Sequence, residues 1–378
     1  MKVIRTASPL QKRRRITISD SLMIHKRLQA VRVLIKAYRL QALLVTELAH
    51  VRYLTGFSGT SGLCVVTPTE QFFLTDRRYK SQAAQEVNGF KIMIAQQNLF
   101  PLLAERRLVP LMSRVGFEHR HVSVAEMRSL KKLLPFRRFI PATDILENVT
   151  AVKDAGEIEF IRAAARISDS VFENLVAMVR PGMRECDIAA EISYMHRKYG
   201  AECDAFDPIV ASGERGALPH ARASEKKIRR GEFVVLDFGC RYRGYNSDMT
   251  RTLAVGNPST EMKKVYQIVL DAEKKAIEAV RQGVATRSID AIARNHIRQH
   301  GYGRYFIHSL GHGLGIHVHD PLRLSAVSTA VLKTGNVVTI EPGIYLPGRC
   351  GVRIEDDIVV RENGCDILTT SLKELIIV

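Results

Sequence analysis

The stretch from Gly231 to Arg251, GEFVVLDFGCRYRGYNSDMTR, limits the architecture of this chain more than any other. An apolar run, Phe233 to Leu236, ends on Asp237, crosses polar turn residues and returns through Asp248 towards Leu253 and Val255. Two β-rich runs joined by turn residues predict a hairpin. A tight turn at Tyr242-Arg243 sets Asp237 directly across from Asp248, with Cβ atoms roughly 4.5–5.5 Å apart. Carboxylates that close repel unless a cation or a shared proton compensates. Two exposed aspartates flanking a turn are the plainer reading of such a pair, and the residues downstream overturn it.

Those residues form three further segments. His308 to Asp320 reads HSLGHGLGIHVHD, with histidines at 308, 312, 317 and 319. Gly311, Gly313 and Gly315 oppose a helix there, so His308 and His312 are expected on an extended or looped segment. His317 and His319 share a face if Ile316 to Asp320 is a strand. Next, NVVTIEPGIY (336–345) predicts a strand that ends on Glu341 and is stopped by Pro342-Gly343. Finally, VRIEDDIVV (352–360), read as one strand, puts Arg353, Glu355 and Asp357 on one face. A carboxylate inside an apolar strand is costly to bury unless something neutralises it. Glu341, Glu355, Asp237 and Asp248 share that problem, and one cause would satisfy them all. Four carboxylates and one imidazole can hold two divalent metals; this donor set suits Mn²⁺, Co²⁺, Fe²⁺ or Zn²⁺ without a cysteine. Two such ions can share a water, lower its pKa and polarise a substrate oxygen, which is machinery for amide or ester hydrolysis.

At 378 residues the chain has room for two domains. Before residue 150, helical periodicity from Ser21 to Leu40 is followed by the β-type runs ALLVT, GLCVVT, QFFLT, KIMIA and RVGFE and a helical segment from Val124 to Leu134. That alternation predicts an α/β domain over 20–150. A long helix then opens residues 151–378, where the chain repeats itself weakly. Val179-Arg180-Pro181-Gly182 returns as Val280-Arg281-Gln282-Gly283, and Gly200 as Gly301, which predicts two related α/β halves.

The net charge is +17, and residues 1–19 hold six Lys and Arg with no acid. A solvated, disordered tail explains these better than a nucleic-acid surface does. No apolar run reaches the length of a membrane span. Asp20 interrupts the only candidate signal core, ITISDSLMI, and Met23 is an alternative start. Six scattered cysteines without a C-x-x-C pair point to reduced thiols in a cytoplasm.

The ordered set Asp237, Asp248, His312, Glu341 and Glu355, flanked by LDFG, SDMTRT, GHGLG, EPGIY and RIEDD, resembles the dimetal site of the pita-bread metallopeptidases. That group includes methionine aminopeptidase, prolidase and aminopeptidase P. YLTGFSG and LTDRRY resemble the creatinase-like N-terminal domain of the last two. The resemblance implies a creatinase-like α/β domain followed by a pita-bread domain with pseudo-two-fold αβ halves. It also implies that Asp237 binds one metal, His312 and Glu341 the other, and that Asp248 and Glu355 bridge, Mn²⁺ being the expected ion. By the same resemblance His220 lies over the substrate, His308 is an outer proton donor and His319 contacts the substrate carbonyl or carries protons. Glu341 carries the proton, Arg353 supports the site and Tyr345 lies near the metals. The implied activity is hydrolysis of Xaa-Pro bonds, of the aminopeptidase P type, with prolidase as the alternative. A homodimer or higher homo-oligomer is implied as well. A catalytically idle binding homologue is the different-class alternative, and its mark, a lost ligand, is absent. The chain contains no Trp, so any wall a relative builds with Trp is made otherwise here.

Overall fold

The structure is a computed structural model that describes residues 18–142 and 144–378, with side chains from Met23 onward. The basic tail predicted over 1–19 lies almost wholly outside the described residues. The chain divides into two compact units after Val149.

In the first unit, α1 (Ile18–Ala37) buries Ile24, Leu28, Val31 and Ile35, the face that its helical spacing predicts. The five expected strands appear as β1 (Ala42–Val45), β2 (Leu63–Val66), β3 (Gln71–Asp76), β4 (Lys91–Ala95) and β5 (Arg114–Phe117). A sixth, β6 (Arg138–Pro141), joins them in the order β4-β3-β2-β1-β5-β6. The central β1-β2-β3 meander is antiparallel, while β4, β5 and β6 add in parallel. The helices α2 (Leu48–Thr55), α3 (Lys80–Glu86), α4 (Phe100–Glu105), α5 (Val124–Leu133) and α6 (Ile145–Thr150) connect or follow the strands. α5 is opened by a capping box of Ser123 and Glu126.

The second unit starts with α7 (Ala155–Met178), opened by an Asp154–Glu157 capping box, and α8 (Glu185–Lys198). Its strands β7 (Cys203–Asp204), β8 (Ile209–Ser212), β9 (Glu232–Phe238), β10 (Cys240–Tyr242), β11 (Tyr245–Asn246) and β12 (Met249–Val255) form two small sheets, β12-β9-β8 and β11-β10-β7. The motif then recurs. α9 (Thr260–Glu278) and α10 (Thr286–Gln299) lead into β13 (Gly311–Gly313), β14 (Asp320–Leu324), β15 (Val337–Ile340), β16 (Gly343–Leu346), β17 (Cys350–Arg353), β18 (Asp356–Arg361) and β19 (Gly364–Ile367). These pair as β14-β13-β15-β18-β19 and β16-β17. The repeat in the sequence is therefore structural, since α8 and α10 occupy corresponding positions. Gly182 and Gly283 both have positive φ, as do Gly200 and Gly301, because each ends a helix or its turn in the left-handed region. Each half has its own apolar core, one around Val171, Phe172, Ile188 and Leu236 and one around Val265, Ile289, Val338 and Ile358. Residues 376–378 run parallel beside Ala254, and Ile376 and Val378 pack on the core of the first half.

Three local expectations need correction. The hairpin turns at Arg243-Gly244, both with φ > 0, which is the twist-matched two-residue turn. Its register consequently pairs Asp237 with Thr250, not with Asp248. A shift of two preserves the side of the ribbon, and the two carboxylates still act on each other. Residues 316–319 are a bend, and β14 begins only at Asp320. Finally, residues 352–360 are not one strand: they break at Ile354-Glu355, where β17 pairs with β16 and β18 with β15.

Candidate metal centre and active site

Each candidate metal-ligating side chain is delivered by a strand or by a strand's interruption. β9 carries Asp237, and the step between β11 and β12 carries Asp248. That step is tight: a Cβ on Gly239 would stand 1.8 Å from the Ser247 carbonyl oxygen, so only glycine lets the strands cross there. β13 carries His312, the end of β15 presents Glu341, and the break between β17 and β18 presents Glu355.

Ligand atoms of Asp248, His312 and Glu355 all lie within 4.8 Å of one another, and all three residues are buried. The His312 ring bonds through Nδ1 to the Gly313 carbonyl at 3.0 Å, and burial pushes its pKa down to about 3. Nδ1 is therefore the protonated nitrogen of a neutral ring. The bare Nε2 faces Glu341 Oε1 at 3.4 Å and Asp248 Oδ2 at 3.6 Å. A lone pair aimed at two carboxylates repels them unless a cation sits between. Burial and mutual repulsion raise the Asp248 and Glu355 carboxyls well above the usual range, and burial pushes Glu341 up to about 8. Asp237 Oδ1 is buried with no hydrogen-bond partner. An unpartnered oxygen, a bare imidazole nitrogen and crowded acids fit an oxygen-rich divalent cation site.

Around this cluster runs a chain of polar contacts. Arg353 is buried; its Nη2 donates to Asp237 Oδ2 at 2.5 Å and its Nη1 to the Tyr345 hydroxyl at 2.7 Å. The hydroxyl lies 2.9 Å from His308 Nε2, and His308 Nδ1 bonds the Ser309 carbonyl at 2.7 Å. Burial lowers His308 to about 4 and raises Tyr345 to about 12. His308 is thus a neutral acceptor for the Tyr345 hydroxyl, so in this geometry its Nε2 is not a proton donor. The His319 ring lies over His312 at 4.2 Å between centroids and is exposed on its other side. His220 is exposed, and its charge acts on both His308 and His319. His317, which the motif left out, turns instead to Asp320 at 3.6 Å.

Two hydroxyls in the site carried no mark in the sequence reading. Thr250 donates to Glu355 Oε2 at 2.6 Å and receives the Arg353 Nε hydrogen at 3.0 Å. Thr339 donates to Glu341 Oε1 at 3.2 Å and accepts from the His312 backbone at 3.1 Å. Thr339 lies two residues before Glu341, so strand alternation already placed it on that face.

Residues 159–362 match the model of metallopeptidase family M24, more than half of the chain. The chain belongs to metallopeptidase family M24. Residues 27–152 of this M24 peptidase match the creatinase/prolidase N-terminal domain. It is 37% identical to the Xaa-Pro dipeptidase of Pyrococcus furiosus, over 88% of this chain and 94% of that protein. The solved Xaa-Pro dipeptidase from Bacillus anthracis superposes with a TM-score of 0.91 at 39% identity, covering 94% of this chain and all of that one. An X-Pro aminopeptidase structure from Thermotoga maritima gives 0.86 at 38% identity, covering 92% and 100%. Membership of M24 makes the chain an enzyme that hydrolyses peptides, and no described helix is long and apolar enough to cross a membrane.

Proposed function

We propose that this M24 peptidase hydrolyses the Xaa-Pro bond and acts chiefly on Xaa-Pro dipeptides. The observation that carries the hydrolytic reading is the bare His312 Nε2 turned on Asp248 and Glu341 inside a buried set of acids. Asp237, Asp248, His312, Glu341 and Glu355 would hold two divalent ions, with Mn²⁺ favoured by four carboxylates and one imidazole. Such ions, when bound, activate water and polarise the scissile carbonyl.

The chain's own residues supply the rest. Arg353 fixes one Asp237 oxygen, leaving the other bare for a ligand bond. Thr250 and Thr339 orient Glu355 and Glu341, and Glu341 carries the proton. Tyr345 is locked between Arg353 and His308, while His319 and His220 face the substrate from the side of His312 and from solvent.

The dipeptidase reading replaces the aminopeptidase P type as the leading one. It rests on the names of relatives similar over nearly the whole chain, from Bacillus anthracis and Pyrococcus furiosus. The Thermotoga maritima likeness keeps the aminopeptidase alternative in the test. Mn²⁺-loaded protein offered Xaa-Pro, Xaa-Pro-Yaa and Met-Ala-Yaa peptides should cleave the first most efficiently. Cleavage confined to Xaa-Pro-Yaa overturns the dipeptidase reading, and cleavage confined to Met-Ala-Yaa overturns Xaa-Pro specificity itself.

A further inference from the structure

Between β8 and β9 the chain leaves the sheet at Ser212, carries Leu218 and His220 outward, and returns through Ser224. Both ends of this loop meet one side chain. Glu185, the first residue of α8, is fully buried. Its Oε1 accepts the Ser212 backbone N–H at 2.7 Å and the Ser212 hydroxyl at 2.8 Å. Its Oε2 accepts the Ser224 hydroxyl at 2.6 Å, the Ser224 N–H at 3.2 Å and Arg215 Nε at 2.9 Å. These five donors saturate the carboxylate. Arg215 Nη2 also donates to the Arg222 carbonyl at 2.5 Å, closing the loop across its own width.

At the far side, the Pro219 carbonyl accepts from Arg353 Nη1 at 3.2 Å. The residue before His220 is thereby tied to the arginine that holds Asp237. The loop is a compact excursion with its ends together, pinned at the stem by Glu185 and near the tip by Arg353. A buried carboxylate is costly unless it is paired and hydrogen-bonded, and Glu185 takes no part in the metal cluster. Its carboxylate meets only Ser212, Ser224 and Arg215 among the contacts described, while its backbone N–H donates to the Lys226 carbonyl at 3.1 Å.

We propose that Glu185 is a positioning residue that clamps the stem of loop 213–223 and thereby sets His220 over the substrate. The proposal rests on the peptidase reading of the site. Stem and tip are separate anchors, so loosening the stem changes how substrate is held without touching the metal cluster.

Glu185→Gln in the full-length, metal-loaded protein keeps the shape but turns an NH₂ group towards donors on one side. KM for an Xaa-Pro dipeptide should rise about tenfold with kcat within about twofold, the scale of one charge-assisted hydrogen bond. Metal content should be unchanged. Glu185→Gln combined with His220→Ala should be no worse than His220→Ala alone, since one residue acts through the other. A readout independent of activity is trypsin cleavage after Arg215 and Arg222, mapped by mass spectrometry, which should be faster in Glu185→Gln. If that variant folds poorly, Ser224→Ala should move both readouts in the same direction by less. Unchanged cleavage at Arg215 and Arg222 overturns the clamp. Loss of metal, or a KM effect that adds to that of His220→Ala, overturns the route through His220. A wild-type protein inactive on every Xaa-Pro peptide sinks the Xaa-Pro reading, and the trypsin comparison then still decides the clamp.

Discussion

A neutral imidazole facing two carboxylates in a cluster of buried and part-buried acids is unstable by itself, and the side chains around His312 show how the chain holds it. The Gly313 carbonyl takes Nδ1, so the ring has one orientation and one free nitrogen. Thr339 and Thr250 each fix one oxygen of Glu341 and of Glu355. The His319 ring packs on His312, yet the acids and His312 already supply enough donors for two ions that must leave room for water and substrate. His319→Ala should therefore keep the full complement of metal measured by elemental analysis. Its turnover should drop on the order of 10²–10³, the cost of one group that stabilises developing charge. Arrival of that variant with a metal missing would make His319 a ligand. At this scale the ordered acids and His312 were legible, because carboxylates at strand ends are anomalous in an apolar pattern. Thr250 and Thr339 were not, since a threonine is an ordinary strand residue until its hydroxyl's partner is known. The neutral, accepting state of His308 also needed the structure, because it depends on the Ser309 carbonyl and the Tyr345 hydroxyl.

At the scale of elements, backbone approach sets the site as firmly as side-chain chemistry does. A Cβ on Gly311 would lie 2.0 Å from the Thr339 carbonyl oxygen, so β13 and β15 can pair closely only because residue 311 has none. Gly311→Ala should force β13 outward and cost about 1–3 kcal/mol, as overpacking typically does. Because His312 is the next residue, metal affinity should fall as well. Denaturant unfolding of metal-free protein and a metal titration measure the two effects; wild-type values in both would show that β13 is free to shift. Five strands of the first unit were legible as short β-branched or aromatic runs, whereas β6, four residues of mixed burial, was not. The hairpin was legible but its register was off by one turn position. Gly244 carried the information, because a two-residue hairpin turn with both φ positive favours glycine at its second place. The break at Ile354-Glu355 had no signal, since VRIEDDIVV alternates acceptably straight through it.

Across the whole molecule, the segment after β19 straps the second unit together. Asp169 accepts backbone and hydroxyl hydrogens from both Thr370 and Ser371, and Arg251 donates to the Ser371 and Leu372 carbonyls and to Asp356. Lys373 bridges Asp356 and Glu273, and burial pushes the Glu273 carboxyl up to about 8. A raised carboxyl binds its proton more tightly when folded. Its contribution is full below the ordinary glutamate value and is lost as pH rises through about 8. Glu273→Gln, which mimics the protonated form, should flatten the fall in Tm between pH 5 and pH 9; an unchanged slope would show that Glu273 is ionised throughout. The two-domain plan and the internal repeat were legible from periodicity and recurring glycines, but this strap was not, because all its bonds but Lys373–Asp356 join residues about 100 or more apart. The strap also has a consequence in time. A ribosome delivers β12 long before residues 376–378, which line its edge and complete the core of the first half. With roughly 120 residues still to be made at about 5–20 per second, that edge waits on the order of 6–24 s for its last partner. During synthesis the first half is therefore a sheet with an open side, finished only when the newest residues fold back onto some of the older ones.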